Sequence, residues 1–479
     1  MRASRRAWEP EPPGQPLLEA PPQPPLRRPL PWRPPEQVVE ILVGALGAEG
    51  LVWLDSQGAA DSPLAGQSFL AVAPAEQRCC HGLPGDPGAR DPFALLAELA
   101  RQARAEGDTW LGWLSYEAGA WVEPAGHWRR PDMAVLWAVR ADPLVVIDRH
   151  RMRLELQGRN PATLARFSAL LDAPAAGPAP TRPDRLAAPR DGWRWHTDRQ
   201  QFADQVRRVQ AWIVRGDLFQ ANLTACCEQV LPEVPGAEAL VDLYLRLRRH
   251  CPAPFGGLAI GRIEGGNPLE GGSGLQAVLS TSPERFLQLK PSGQVQTRPI
   301  KGTRPRHGNP EADADAAAEL ITSAKDRAEN VMIVDLLRND LGRVCRPGSI
   351  GVPQLVGLES YPQVHHLTSV VEGELAAGQD VVALLKACWP GGSITGAPKV
   401  RACARLNALE PVPRGPYCGA LFRLGPDGSL DSNILIRSLL VRGARLRAHA
   451  GCGIVVDSDP DDEAEEMGWK LDPLLDALA

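Results

Sequence analysis

The chain has 479 residues, of which 44% are hydrophobic, and a formal net charge of −5. This length predicts two or three domains, with one large α/β unit as the alternative. The mildly acidic balance gives no sign of nucleic-acid or membrane-surface binding. No run approaches the roughly 18 apolar residues of a membrane span, and the first residues lack the apolar stretch of a secretory signal. The 10 cysteines lack metal-binding spacing. A reducing, cytoplasmic compartment is therefore expected.

The first 35 residues are dominated by Pro, Arg and Glu. Such a segment cannot bury enough apolar surface to fold, so residues 1–35 are expected to form a disordered tail. Over 36–172, short apolar runs broken by turn signals predict an N-terminal α+β domain. Its predicted helices cover 38–46 and 92–105, and its predicted strands cover 52–54, 69–73, 110–114, 135–139 and 144–148.

A linker and a larger domain are predicted to follow. Residues 173–192 have the Pro- and Ala-rich composition of an inter-domain linker. Residues 193–479 combine many strands with clustered helices, which is typical of an α+β fold rather than a doubly wound sheet. Helices are predicted at 197–216, 237–249, 325–343 and 381–388, with others beginning near 310 and 460. Strands are predicted at 218–228, 255–263, 277–281, 285–289, 295–298, 367–374, 421–424, 431–441 and 445–450, and a hairpin tip at 264–274.

Two acidic pairs of equal spacing occur in this second part. Asp326 and Glu329 lie three residues apart in a predicted helix, so their Cβ atoms stand about 5–6 Å apart on one face. Glu463 and Glu466 repeat the spacing far along the chain. Four converging carboxylates repel one another without a cation, whereas a Mg²⁺ ion between them makes the arrangement favourable. The alternatives are a solvated acidic face and a capping box in which Ser323 begins the helix.

Three further motifs admit both a chemical and a structural interpretation. The loop 391–399 (GGSITGAPK) is not a phosphate loop, because two residues separate its last Gly from Lys399. It could still present the start of a helix to an anion. Lys301 follows a predicted strand, and is either a solvated loop residue or, held dry near a metal, a nucleophile. Of the adjacent His365 and His366, only one can face a site on a strand.

Seven segments together resemble the chorismate-binding enzymes, the family that includes the anthranilate, isochorismate, salicylate and aminodeoxychorismate synthases. In chain order they are GDLFQANL at 216–223, SPERF at 282–286, TRPIKGT at 297–303, DRAEN at 326–330, LRND at 337–340, GGSITGAPK at 391–399 and DSNILIR at 431–437. The resemblance is dense from about 195 to 479 and weak before that. Lys301 and the run 363–366 are more similar to the branch that aminates chorismate at C4, because the anthranilate- and isochorismate-forming members typically have Ala at the lysine's place.

The resemblance implies a role for each matching residue. Glu329 and Glu466 would bind Mg²⁺ directly, with Asp326 and Glu463 supporting it through water. The substrate-binding residues would be Arg437, Tyr417, Ser393, Thr395, Gly396, Lys399, Gly451 and Gly453.

The catalytic residues implied by the resemblance are Lys301, Glu284 and His366. Lys301 would attack C2 of chorismate while Glu284 protonates the departing C4 hydroxyl, and His366 would lie near the reacting ring. Ammonia would then add at C4 and expel the lysine, which gives 4-amino-4-deoxychorismate for folate synthesis.

The implied fold is α+β, with two large β-sheets packed face to face, helices outside and the active site in the cleft. The implied partner is a separate glutamine amidotransferase subunit that supplies ammonia. Two alternatives stay open: the formation of anthranilate from chorismate, and a non-catalytic nucleotide-binding or regulatory module.

Overall fold

The computed structural model describes residues 24–57, 66–173, 186–263, 274–361 and 364–478. Within them the α-helices, numbered in chain order, are α1 Pro35–Leu46, α2 Pro92–Glu106, α3 Pro161–Asp172, α4 Arg199–Val214, α5 Ala237–His250, α6 Pro310–Thr322, α7 Ala324–Gly342, α8 Val381–Cys388, α9 Lys399–Leu409 and α10 Pro460–Asp476. Short 3₁₀ turns cover Tyr116–Trp121, Arg190–Gly192 and Gly392–Ile394.

The strands of the described residues are numbered in the same way. They are β1 Leu26–Leu30, β2 Val52–Asp55, β3 Gln67–Ala71, β4 Glu76–Cys80, β5 Thr109–Leu114, β6 Leu136–Ala141, β7 Leu144–Asp148, β8 Arg153–Gly158, β9 Arg194–Trp195, β10 Gln220–Val230, β11 Gly256–Arg262, β12 Leu275–Ser280, β13 Arg285–Leu289, β14 Gln294–Thr297, β15 Ile300–Pro305, β16 Gly351–Ser360, β17 Val364–Glu374, β18 Gly396–Ala397, β19 Ala420–Leu424, β20 Leu430–Asn433, β21 Ser438–Arg442 and β22 Arg445–Ile454.

These strands form two large antiparallel sheets, so the α+β prediction is confirmed. The first sheet has the order β1-β8-β7-β3-β2-β11-β12-β21-β22-β10-β18, with β9 beside β10. The second has the order β15-β17-β14-β13-β20-β19-β5-β6-β4, with β16 beside β17. One hydrophobic core joins residues of both sheets, such as Val278 and Trp113. A second core packs helices α1, α3, α4, α5 and α10 on the other face of the first sheet.

Glycines in β11 allow the two sheets to approach closely. A Cβ atom on Gly257 would lie 2.6 Å from Cδ1 of Leu421 in β19, and one on Gly261 would lie 2.6 Å from the Trp137 ring in β6. Both distances are shorter than a carbon–carbon contact permits. Any side chain at either position would therefore push the sheets apart.

The two predicted domains contribute strands to both sheets. In the first sheet, β2 pairs with β11, with Trp53 opposite Leu258. In the second, β5 pairs with β19, with Gly112 opposite Phe422. The backbone groups of the N-terminal strands are thus satisfied by strands from beyond residue 192. The predicted boundary at 173–192 therefore does not separate two independent sheets, because strands from both sides of it pair within each sheet.

The prediction of a disordered tail at 1–35 is wrong for its last part. Residues Leu26–Leu30 form β1 and pair with β8, with Leu30 opposite Leu154, and Pro35 begins α1. An edge strand needs only backbone hydrogen bonds and tolerates proline, which explains why a Pro-rich composition did not reveal it. Residues 1–23, most of the predicted linker (174–185) and the predicted hairpin tip (264–273) lie outside the described residues.

No helix of the described residues is long and apolar enough to cross a membrane. All ten cysteines carry free thiols, eight of them buried and two, Cys79 and Cys251, partly buried.

Candidate active site

A cleft of about 870 Å³ contains most of the residues singled out by sequence. Its walls come from β15, β22, α7, α10 and the turns around them. The predicted residues that line it are Glu284, Lys301, Asp326, Glu329, His366, Ser393, Tyr417, Arg437, Gly451, Gly453, Glu463 and Glu466. One cleft therefore collects both acidic pairs, the lysine and the arginine.

Helix caps position the two acidic pairs. Ser323 caps α7 by accepting a hydrogen bond of 3.2 Å from the backbone amide of Asp326. Asp459 caps α10 by accepting one of 2.9 Å from the amide of Asp461. Each cap fixes where its helix begins, and hence which residues of the first two turns face the cleft. Ser323 therefore caps the helix, and this cap is compatible with Asp326 and Glu329 facing the cleft.

Each of the four carboxylates lies close to a basic side chain. Lys325 Nζ is 2.8 Å from Glu463 Oε1, and Lys470 Nζ is 2.7 Å from Glu466 Oε1. The other two pairs are looser: Lys301 Nζ lies 3.9 Å from Glu329 Oε2, and Arg304 Nη2 lies 3.5 Å from Asp326 Oδ2. Basic side chains of the protein thus lie beside the four carboxylates whose negative charge the sequence analysis expected a Mg²⁺ ion to neutralise.

The two carboxylates expected to bind a cation directly differ in their electrostatics. Burial raises the pKa of Glu329, while the ammonium groups of Lys301 and Lys325 only partly offset that effect. Burial also acts to raise the pKa of Glu466, but Lys470 outweighs it and holds that pKa below its usual value. The negative charge of Glu329 is therefore less fully compensated by nearby cations than that of Glu466.

The donor set suits a hard divalent cation. Carboxylate oxygens from two helices face one cleft, which is the chemistry that Mg²⁺ prefers. The Cys452 thiol lies within 4.8 Å of the ligand atoms of Glu463 and Glu466. Burial raises the pKa of this thiol, and its Sγ lies 3.4 Å from the backbone oxygen of Glu463 as a hydrogen-bond donor. It therefore stays protonated and is a poor ligand.

Lys301 lies in a strand, which corrects the prediction of a loop. It belongs to β15, whose register against β17 shifts between Lys301 and Thr303. Gly302 absorbs this bulge with a φ of +80°, and a Cβ there would lie 2.9 Å from Leu320 and 3.0 Å from Asp326. The bulge aims the lysine into the cleft, where its side chain is only 11% exposed.

Gly453 gives Lys301 room beside the acidic pairs. A Cβ on this residue of β22 would lie 2.7 Å from Lys301 Nζ, 2.7 Å from Gln220 Nε2 and 3.2 Å from Glu329 Oε2. These three side chains thus converge on one bare stretch of backbone. Any larger residue at 453 would displace the amine, the amide or the carboxylate.

Glu284 is a buried carboxyl group that can hold a proton at neutral pH. Burial raises its pKa to about 7, although a hydrogen bond from Ser393 and the charge of Lys301 act in the opposite direction. A group that titrates near neutrality suits a general acid.

His366 is neutral and lies in the cleft, whereas His365 points elsewhere. Burial, together with the charge of Arg437, lowers the pKa of His366 to about 3, and its Nδ1 lies 2.8 Å from Thr303 Oγ1. His365 instead meets Ser360 Oγ at 2.7 Å. His366 can offer a hydrogen bond but no charge.

Arg437 lines the cleft and brings a guanidinium group to it. Its backbone has a φ of +49° and is held where its carbonyl accepts hydrogen bonds from Thr281 N and Oγ1, at 3.0 and 3.1 Å. Burial lowers the pKa of its guanidinium, and no carboxylate of the described residues pairs with it. Such a half-buried guanidinium without a carboxylate partner favours a bound carboxylate. Tyr417 lines the same cleft, stacked on His449 at 4.8 Å.

Three predicted binding residues lie outside the cleft, which corrects their assignment. Lys399 donates hydrogen bonds to Asp340 Oδ2 at 2.6 Å and Cys388 O at 3.0 Å. Thr395 is buried and donates to Gly391 O at 2.9 Å. Gly396 packs so closely on β10 that a Cβ would collide with its backbone. The side chains of Lys399 and Thr395 form hydrogen bonds within the protein, and Gly396 packs on β10, so none of the three faces the cleft.

Sequence reasoning missed four residues that complete the cleft. They are Lys325 and Lys470, the cations described above, and Gln220 and His449, which are buried with one side-chain polar atom lacking a partner among the described residues. Lys470 follows Glu466 by four residues, a spacing typical of helical ion pairs that could have identified it. The other three depend on long-range packing.

Comparison with known proteins gives a consistent set of similarities. A family model described as chorismate binding enzyme matches residues 53–476. The chain is 43% identical to aminodeoxychorismate synthase component 1 of Salmonella typhimurium over 301 residues, which is 63% of this chain and 62% of that protein. It is 37% identical to anthranilate synthase component 1 of Streptomyces coelicolor over 423 residues, or 83% of this chain and 79% of that protein. The first of these alignments spans less than two thirds of its relative.

Solved structures agree with the fold. Anthranilate synthase component I from Streptococcus pneumoniae superposes with a TM-score of 0.70 at 26% identity, covering 88% of this chain and 98% of that one. The menaquinone-specific isochorismate synthase of Escherichia coli gives 0.68 at 16% identity, with coverage of 96% and 97%. The arrangement of two sheets with outer helices is therefore shared with these proteins.

Proposed function

The chain belongs to the family of chorismate-binding enzymes, and from this premise we propose that it aminates chorismate at C4 to give 4-amino-4-deoxychorismate. The observation that carries the proposal is Lys301, an amine held in the cleft 3.9 Å from Glu329. The names of relatives such as the Salmonella aminodeoxychorismate synthase component 1 support the same reaction.

Glu329 and Glu466 would hold a Mg²⁺ ion directly, and Asp326 and Glu463 would support it through water. When bound, the ion supplies positive charge that binds the ring carboxylate of chorismate and withdraws electrons from the ring. The carboxylate chemistry of these four residues supports this assignment.

Lys301 and Glu284 would carry out the first half of the reaction. The Lys301 amine, once it has given up its proton to solvent, forms a bond to C2, both ring double bonds shift by one position, and the C4–O bond breaks. Glu284 gives its proton to the departing hydroxyl, which leaves as water. This step fits a carboxyl group whose pKa of about 7 leaves it about half protonated at neutrality and more fully protonated below it.

Ammonia would complete the exchange. It forms a bond to C4, the double bonds shift back, and the C2–N bond to Lys301 breaks with the electron pair returning to the amine. The ionised Glu284 takes the surplus proton from the new C4 ammonium group. A covalent lysine intermediate thus divides one difficult displacement into two easier ones.

Arg437 and Tyr417 would anchor the enolpyruvyl carboxylate of chorismate. The guanidinium lies in the cleft with no carboxylate partner among the described residues, so a substrate carboxylate gives it a charge-assisted hydrogen bond. Neutral His366 would contact the ring without adding charge.

A separate glutamine amidotransferase would supply the ammonia, and free ammonium would replace it in vitro. The words "component 1" in the names of several relatives support a partner of this kind. The free thiols support a reducing compartment such as the cytoplasm.

Anthranilate formation is the second candidate, favoured by the Streptomyces coelicolor relative. The deciding experiment incubates the protein with chorismate, Mg²⁺ and ammonium and identifies the product. Fluorescent anthranilate without added lyase would favour the second candidate, and 4-amino-4-deoxychorismate the first. Mass spectrometry of quenched samples should find a chorismate-derived adduct on Lys301, absent from K301A and present in the surface control K290A.

A non-catalytic regulatory module is the third candidate, and the same experiment excludes or supports it. If K301A and Glu466→Ala leave chorismate turnover unchanged, the cleft does not perform this chemistry and the proposed function fails.

A further inference from the structure

The basic side chains beside the acidic pairs differ in the number of contacts that hold them in place. Lys470 Nζ contacts Glu466 Oε1 at 2.7 Å, the backbone oxygen of Gly451 at 2.9 Å and Cys452 Sγ at 3.7 Å. Three contacts pin this ammonium between α10 and β22. This ammonium therefore keeps two contacts to β22 even when Glu466 is engaged elsewhere.

Lys325 is held by much less. Its Nζ donates to Glu463 Oε1 at 2.8 Å, and the described part of the chain gives it no second hydrogen bond. Its side chain is 44% exposed, whereas that of Glu463 is 4% exposed. The lysine can therefore swing into solvent, but the buried carboxylate cannot follow it.

This ion pair spans the gap that a bound cation would occupy. Lys325 is the second residue of α7, and Glu463 lies in the first turn of α10. The two helices carry the four carboxylates, so the ammonium bridges the same elements that the divalent ion would join. A buried carboxylate left with neither partner would be strongly destabilised.

We propose that Lys325 is a displaceable internal cation that neutralises Glu463 in the metal-free protein and competes with the divalent ion for it. On binding, the ammonium leaves for solvent and the ion takes over the neutralisation of Glu463. Lys325 thereby sets the affinity of the site for the ion. The inference rests on the proposed function, because it presumes that a divalent ion binds between α7 and α10.

The test compares Mn²⁺ binding to the wild type, K325M and the matched surface control K290M. Lys290 is exposed, and within the part of the chain that the structure describes its Nζ donates only to Gln294 Oε1, at 2.9 Å. Binding is followed by the loss of the free Mn²⁺ signal in electron paramagnetic resonance at fixed ionic strength. We expect K325M to bind Mn²⁺ about tenfold more tightly, which corresponds to about 1.4 kcal/mol, and K290M to match the wild type.

Thermal unfolding gives the second readout. In chelator, K325M should melt at a lower temperature than the wild type, because Glu463 has lost its cation. Saturating Mn²⁺ should remove that difference. K325Q serves in the same way if K325M does not fold.

The outcomes separate the inference from the proposed function. If Mn²⁺ binds none of the three proteins, the metal site of the proposed function fails. If it binds all three equally, or binds K325M more weakly, the metal site stands and the competition is refuted.

Discussion

The Nζ atom of Lys301 lies 3.9 Å from Oε2 of Glu329, and the bare backbone of Gly453 lies against both groups. The proposed nucleophile and the proposed metal ligand thus meet in one corner of the cleft. Their spacing depends on a residue that carries no side chain. This relationship leads to the first prediction.

Replacing Gly453 with Ala should inactivate the protein without unfolding it. The new methyl group would lie 2.7 Å from Lys301 Nζ and 3.2 Å from Glu329 Oε2, so the amine must move. Misplacement by about 1 Å can reduce a rate about a hundredfold, and steady-state amination of chorismate measures it. G468A in α10 is the matched control, because nothing lies within 4 Å of its new Cβ. That control should keep its activity and gain about 0.5–1 kcal/mol of stability; a fully active G453A would contradict the geometry.

Activity should fall as the pH rises through about 7. In the proposed reaction Glu284 is protonated when the C4 hydroxyl leaves, and its pKa of about 7 means that this form is lost on the alkaline side. The value of kcat/KM measured from pH 5.5 to 9 should therefore show a descending limb near neutrality. In Glu284→Gln this limb should vanish and the rate should drop about 10²- to 10⁴-fold. Retention of the limb in that variant would assign it to another group.

Arg437→Met should weaken the binding of chorismate. The variant removes the guanidinium that would pair with the enolpyruvyl carboxylate, and a hydrogen bond to a charged group contributes about 1.5–3 kcal/mol. We expect KM to rise about 10- to 100-fold. Arg346→Met is the control, because Arg346 forms an exposed ion pair with Glu374 and its side chain is 64% exposed. Equal KM values in the two variants would show that Arg437 does not contribute to chorismate binding.

Lys399→Met should destabilise the fold and leave substrate binding intact. Lys399 Nζ neutralises Asp340, whose side chain is 4% exposed, and breaking a buried ion pair costs about 3–5 kcal/mol. Chemical denaturation should detect this loss, while KM for chorismate stays near that of the wild type. The double variant Asp340→Asn with K399M should recover part of the stability. A raised KM in a stable K399M would instead show that Lys399 contributes to substrate binding.

Local patterns predicted most individual elements but not how they pair. Leu144–Asp148 and Arg285–Leu289 were predicted with the observed bounds, because short apolar runs bounded by turns identify strands by themselves. The strand Gly351–Ser360 was missed. Its register against β17 shifts twice and Val356 has a φ of +54°, so its sequence lacks regular alternation. Pairings such as β2 with β11 depend on backbone groups that no side-chain pattern encodes.

The sequence predicted those residues of the candidate site that form a regular spacing along a helix. The acidic pairs are three residues apart on helices, and the cleft does contain both. Lys325 was not linked to Glu463, because 138 residues separate them. Lys301 follows the predicted strand 295–298 and was therefore placed in a loop, whereas in the structure it lies in β15 beside a bulge at Gly302. The roles of these residues in catalysis stay predictions until the experiments above are done.

The sharing of both sheets by early and late parts of the chain has a consequence for biosynthesis. During translation, residues 109–114 leave the ribosome about 300 residues before 420–424, the segment that completes their sheet. Until then the nascent chain exposes unpaired strand edges of the kind that aggregate. Cellular yield should therefore depend on chaperones that hold the growing polypeptide, and expression of residues 36–172 alone should give insoluble material.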